Sequence, residues 1–254
     1  MPSWNIHTAL VEQLLAENDP IALGIEDANA FQFGNYLPDV YVGFMVPGVS
    51  FHIDYCITHM ARVSMIPVCD ADLFWDQNIA YRAPKTPTGM SLVLGNWAHL
   101  VADRFYNGRF RSFWTTLDMP LGDKLRIAKQ ADFDLFGRGL GISRLVEATP
   151  ELIEAGRRFV PYSIDPDDLK RTLEVANNIT REGGALPPSE DGFQLLSPEW
   201  LADALDACCE RYVVWLAAWK RLQDAGLPCR AADVRAEAGL QPAIPDNPDS
   251  TSWR

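Results

Sequence analysis

The chain has 254 residues, 48% of them hydrophobic, and a formal net charge of −12. That supplies enough apolar material for one large packed domain or two small ones. The negative balance excludes a general nucleic-acid binder, which needs a positive surface to neutralise phosphates, and no run of about 20 apolar residues suggests a transmembrane helix.

The opening MPSWNIHTALVEQLL lacks a basic leader followed by an unbroken apolar stretch, so no signal peptide is expected. Ser3 is placed to cap a first helix, with Ile6, His7, Leu10, Val11 and Leu14 on one stripe. Residues 26–46 read as a short helix running into Leu37-Pro38-Asp39, and 47–66 as either a loop or a short helix. Asp70 to Tyr81 reads as a short helix. Arg82 to Gly89 is a Pro- and Gly-rich turn that breaks the chain before the next helix, which contains Gly95. Further helices are expected over Gly122–Phe136, Pro150–Phe159 and Asp165–Glu182. The longest runs from Ser197 to Gly226, with Ser197 as cap, Pro198 in the first turn and Gly226 as stop. Ala231–Gly239 can add one or two turns.

No convincing strand pattern and no internal repeat occur. The reading is an all-α single domain over 1–240. It comprises a half with all four histidines (1–145), further helices (146–240), and a Pro- and Asp-rich tail (241–254) expected to be disordered. Trp215 and Trp219, four apart, read as core. The KRTLEVANNITR stretch reads as a solvated helix face. Five scattered cysteines without CxxC spacing suggest free thiols in a reducing compartment, hence the cytoplasm. Cys208 and Cys209 read as buried and inert. The oligomeric state is not legible.

The chemistry concentrates in GNWAHLVADRFYN. His99 and Asp103 are four apart and share one helix face with Gly95 and Ala102. A carboxylate among apolar neighbours needs a cation, a set of donors or a metal, and the small neighbours leave room for one. His7 on the first helix reads as a core histidine or a ligand, Asp39 as a turn cap or a ligand, and His59 as surface, core or ligand. His52 is the least distinctive histidine. Imidazole and carboxylate together suit zinc and similar metals, and helices bearing His7 and the His99/Asp103 pair, with Asp39 and His59 from the connections, suit a bundle-core site.

The ordered set Leu37–Asp39, Thr58–Met60 and Gly95–Asp103 (G-x-x-x-H-x-x-x-D), after an early His7, resembles the zinc-dependent phospholipase C family over roughly residues 1–140. The resemblance implies an all-α multi-helix bundle of the phospholipase C/P1 nuclease fold, hydrolysing phosphoric esters with metal-activated water. It implies that Asp39, His59, His99 and Asp103 surround one zinc, that Asp103 bridges to a second held by His7, and that Asp39 orients or deprotonates the attacking water. Secreted members use an N-terminal tryptophan as a ligand. Here Met1, Pro2 and Ser3 precede Trp4. The family's third site uses histidines after the H-x-x-x-D motif, and this chain has none after His99. Asp132 and Asp134 fall where oxygen ligands could substitute, and Lys129 where a point charge could serve a phosphate or neutralise the carboxylates. The implied substrate is a small phosphoester or a phospholipid-like one, with one or two zinc ions. The alternative is a non-catalytic helical scaffold that keeps a residual metal or a simple His–Asp hydrogen bond.

Overall fold

The computed structural model describes residues 2–64, 66–117, 122–183 and 192–240. These residues form helices joined by loops. No strand occurs among them, only an isolated antiparallel bridge between Ala61 and Cys69. The expected tail at 241–254 and most of the expected loop at 183–192 lie outside the described residues.

The helices are α1 (Trp4–Glu17), α2 (Ala28–Gly34), α3 (Leu37–Val40), α4 (Tyr55–Thr58), α5 (Ala71–Trp75), α6 (Pro87–Trp114), α7 (Asp123–Arg138), α8 (Pro150–Arg157), α9 (Pro166–Gly183), α10 (Pro198–Asp224) and α11 (Ala231–Glu237). Short side chains open many of them by accepting an orphan backbone N–H. Asp27 accepts from Ala30, Thr86 from Gly89, Thr149 from Leu152 and Ser197 from Trp200. Ser3 departs from that pattern. It precedes α1 in extended geometry, but its hydroxyl donates to the carbonyl of Phe133 on α7 at 3.3 Å, so it ties two helices together and caps neither.

The expected single helix over 26–46 is two, because the chain turns at Asn35 and Tyr36 between α2 and α3. The ambiguous stretch 47–66 is mostly loop around the single turn α4. Beyond α5 the chain adds one wide helical turn, Asp76–Ala80, and α6 already begins at Pro87, inside the expected turn.

The long helix α6 lies at the centre of a continuous apolar core drawn from both halves of the chain. Trp215 and Trp219 are buried in it beside Trp75 and Trp97, with ring centroids 5.1 to 5.7 Å apart, and the indole N–H of Trp75 donates to the Cys229 carbonyl. Such offset and edge-on pairs add about 1 kcal/mol each beyond their burial. Cys208 and Cys209 are buried, and all five cysteines are free thiols. On α9, Lys170, Arg171 and Glu174 are exposed while Leu169, Thr172 and Leu173 are buried, so the solvated face is one side of an amphipathic helix. No helix among the described residues is long and apolar enough to cross a membrane.

The crossing of α2 and α6 positions everything that follows. It is made at Gly34 and Gly95, where the backbones touch. A Cβ at Gly95 would lie 2.0 Å from the Phe31 carbonyl oxygen, and one at Gly34 2.1 Å from that of Leu92. The space beside Gly95, read from the sequence as room for a cation, is filled by the α2 backbone.

Candidate metal centre

Four segments converge on one buried point. α1 brings His7, α3 brings Asp39, the residue after α4 is His59, and α6 brings His99 and Asp103. Asp39 is 4% exposed and the other four are at 0%. His59 Nε2 lies 3.4 Å from Asp39 Oδ1 and 3.6 Å from Asp103 Oδ2. His99 Nε2 lies 3.9 Å from Asp39 Oδ2 and 3.8 Å from Asp103 Oδ2, and His7 Nε2 lies 3.5 Å from Asp103 Oδ1. The rings of His7 and His99 stack in parallel with centroids 4.0 Å apart.

An outer hydrogen bond fixes how His99 presents its lone pair. His99 Nδ1 lies 2.8 Å from the Asn35 carbonyl oxygen, which only accepts, so Nδ1 carries the proton and Nε2 the lone pair. His59 Nδ1 lies 2.9 Å from Thr58 Oγ1, whose single proton goes either to that nitrogen or to the Tyr55 carbonyl at 3.3 Å; in the second case Nδ1 donates and Nε2 keeps the lone pair, and in the first Nε2 carries the proton. The two Nε2 atoms are 3.2 Å apart. With Nδ1 of His59 protonated two lone pairs face each other among carboxylate oxygens, and with Nε2 protonated His59 donates to His99. Asp39 Oδ1, Asp103 Oδ1 and both nitrogens of His7 have no hydrogen-bond partner among the described residues. Buried acceptors without donors are costly. This set could hold a cation, and a neutral-imidazole and carboxylate shell fits a divalent transition metal.

Two overlapping groups have ligand atoms within 4.8 Å of one another: Asp39, His59 and His99, and His7, His99 and Asp103. His99 belongs to both, but its single free lone pair serves one ion. The group that takes His99 leaves the other short by one ligand.

Several supporting residues were not singled out from the sequence. The Trp4 indole N–H donates to Asp39 Oδ2 at 2.8 Å, fixing that carboxylate's orientation. Asn35 also donates to the His7 carbonyl. Tyr55 stacks on His59 at 3.8 Å and its hydroxyl donates to Asp103 Oδ2 at 3.3 Å. Burial, and then the Asp103 charge, pushes the Tyr55 phenol up, so it remains a donor. The Cys69 thiol, also raised by burial, lies 3.9 Å from the same oxygen. Trp4 lies three residues before His7 and Tyr55 four before His59, spacings that place them on the ligands' own helix faces. Met60, at φ 47°, occupies the left-handed region and turns the chain away directly after His59.

The weaker candidates stand apart from both groups. His52 is exposed, beside Gly43. Asp132 is buried and accepts the backbone N–H groups of Gln194, Leu195 and Leu196 at 2.7 to 2.8 Å, so both its oxygens anchor the segment leading into α10. Asp134 accepts from Gln130. Lys129 is buried, with its ammonium on Asn107 Oδ1 at 3.2 Å and over the rings of Phe110 and Phe133. Asn107 is one helical turn beyond Asp103, which sets the Lys129 amine near the cluster without touching it, and burial lowers its pKa. Asp132→Ala, which orphans three buried donors, is expected to lower stability by about 3 kcal/mol in urea denaturation while leaving bound metal unchanged. Loss of metal in a folded variant would contradict the anchoring role.

The charge states give the site an acid dependence. Burial raises both carboxyls, but whenever the imidazoles carry a proton, His99 and His59 at Asp39, and His99, His7 and His59 at Asp103, outweigh it and hold both below the usual carboxylate range, Asp39 at about 2. Burial, reinforced by His7, pulls His99 down to about 3. Between pH 6.5 and 3 the unfolded His99 binds a proton that the folded one does not, so stability falls as acid is added. The carboxylates act in the same direction lower down: their stabilisation is complete above their unfolded value and is lost as pH falls through about 2 for Asp39. The urea midpoint of chelator-treated protein is expected to fall steadily from pH 6.5 to 3, and a flat profile would contradict these assignments.

No family model, curated protein or solved structure matches the chain.

Proposed function

We propose that the chain is a metal-dependent hydrolase that cleaves a phosphoric ester with metal-activated water, a divergent relative of the zinc-dependent phospholipase C family. The observation that carries this reading is the buried convergence of His7, Asp39, His59, His99 and Asp103, in which His59 Nε2 and His99 Nε2 lie 3.2 Å apart and Asp39 Oδ1 and Asp103 Oδ1 have no hydrogen-bond partner among the described residues. The motif residues that prompted the resemblance are the same residues that meet there.

The ligand count favours one tightly held ion on Asp39, His59, His99 and Asp103. Any second ion would rest on His7 and Asp103 Oδ1. Zinc suits these donors, and when bound it lowers the pKa of a water to about 7 and polarises a phosphoryl oxygen. Trp4 occupies Asp39 Oδ2, which leaves Oδ1 to accept a hydrogen bond from that water and aim it. With its carboxyl held at about 2, Asp39 serves better to orient than to store a proton. Tyr55 holds Asp103 in place, and the Lys129 amine lies on the Asn107 side. The substrate is a small soluble phosphoester or a phospholipid-like one. Free thiols support a reducing, cytoplasmic setting.

A second reading has its own support. The five ligands are almost fully buried and Tyr55 covers His59, as suits a structural ion in a non-catalytic scaffold. Assays with soluble phosphodiesters, phosphomonoesters and phospholipid vesicles, on zinc-loaded and chelator-treated protein, separate the two. Turnover that disappears on chelation supports the hydrolase. Stoichiometric zinc with no turnover on any of the three overturns it in favour of the scaffold.

A further inference from the structure

The five residues of the cluster are almost fully buried, so an ion reaches them only when one of the segments that carry them moves aside. His7, His99 and Asp103 lie on α1 and α6, whose inward faces fill the core. Asp39 lies on α3, where the Tyr162 hydroxyl donates to the Leu37 carbonyl at 2.8 Å. His59 is carried differently. Of residues 42–60, only Val46, Thr58 and His59 are buried, and the one helical turn is α4. Ile57 is 66% exposed while His59, two residues on, is at 0%, so a single turn of chain separates the cluster from water. A segment that buries so little apolar surface opens at a lower free energy than a core helix.

Both ends of this segment are fixed. Before it, the Tyr41 hydroxyl accepts the Asp165 N–H at 3.1 Å. At its far end the Met60 carbonyl accepts the Asp70 N–H at 3.1 Å, and beyond it the carbonyls of Ile66, Pro67 and Cys69 accept from Arg111, Asn107 and Arg104 of α6. Between the ends, polar side chains meet other helices at two places. At one, Asp168, 2% exposed in the first turn of α9, accepts both the N–H and the hydroxyl of Ser50, at 3.1 and 2.5 Å. At the other, Tyr55 donates to Asp103 and His59 lies against His99.

We propose that residues 42–60 are a strap that opens to admit the metal ion and closes when His59 ligates it, with the Ser50–Asp168 contact as its latch. Ion binding favours the closed strap by mass action, because the open strap has withdrawn His59 from the other ligands. Release runs in reverse, and the latch breaks before the ion leaves. The inference rests on the cluster holding an ion and not on the hydrolase reading.

The test is hydrogen exchange of the Ile57, Thr58 and His59 amides, which donate to the carbonyls of Asp54 and Tyr55, together with the rate of zinc loss to excess chelator. In chelator-treated protein these amides are expected to exchange faster than the core amides of α1 and α6. Free zinc at about 100 times its dissociation constant is expected to slow them about 100-fold. Zinc loss is expected to quicken about 10-fold or more in Asp168→Asn, which removes charged hydrogen bonds, and by less in Ser50→Ala, which keeps the backbone bond. Asp132→Ala, which loosens the fold elsewhere, is expected to release zinc at the parental rate. Bound zinc with strap exchange unchanged, zinc loss unchanged in both folded latch variants, or equal quickening in Asp132→Ala overturns the strap alone. Protein that takes up no zinc overturns the ion and the strap with it.

Discussion

His99→Ala is expected to abolish metal binding, lowering affinity by well over the roughly 100-fold that loss of even an outer hydrogen-bond partner can cost. His99 is the residue common to both ligand groups, and its lone pair is fixed inward by the Asn35 carbonyl. Its removal leaves Asp39 and His59 on one side and His7 and Asp103 on the other, with no third imidazole to join them. His7→Ala is expected to behave differently. It leaves Asp39, His59, His99 and Asp103 intact, so about one ion per chain should remain. Titration of zinc into each chelator-treated variant, with circular dichroism to verify the fold, makes the comparison. Equal losses in the two variants would mean that His7 belongs to the main site and that the division by lone pairs is wrong.

Gly95→Ala is expected to cost about 3 kcal/mol or more, at the upper end of overpacking, and to lower the melting temperature by roughly 6–12 °C. The new methyl would sit 2.0 Å from the Phe31 carbonyl and 2.9 Å from the Gly34 Cα, and backbone cannot rotate aside as a side chain can. Moving α2 also moves Asn35, whose carbonyl holds His99 and whose amide holds the His7 carbonyl. Metal affinity should therefore fall with stability. Gly108→Ala, in the same helix, is the control. A Cβ there meets nothing within 4 Å, so the better helix former should stabilise by about 0.5–1 kcal/mol. Equal effects at Gly95 and Gly108 in urea denaturation would show that the α2–α6 contact is not as tight as described.

The helices were legible because their signals are local. Thr149, Pro150, Ser197 and Pro198 mark starts within one turn of the residues they serve. The residues of the buried cluster stood out because His and Asp on apolar faces need a partner, although each also had a core, cap or surface reading of its own. What stayed hidden depends on contacts distant in sequence. Nothing near Gly95 says that Phe31 crosses it, and nothing near Asp132 says that its oxygens hold the backbone of 194–196. Ser3 has the chemistry of a cap, but the nearby Phe133 carbonyl takes its hydroxyl. Trp4 and Tyr55 share helix faces with His7 and His59, yet only the fold shows that each reaches the carboxylate of a different segment.

The proposed metal ion lies among the buried nitrogen and oxygen atoms of His59, His99, Asp39 and Asp103. Elemental analysis of untagged protein purified without chelator tests it most directly. About one equivalent of zinc or a similar divalent metal per chain is expected, removed by chelator with a fall in melting temperature and restored by added zinc. Metal-free protein that neither takes up added zinc nor changes its melting temperature would contradict it, and would leave the cluster as a proton-sharing network in a helical scaffold.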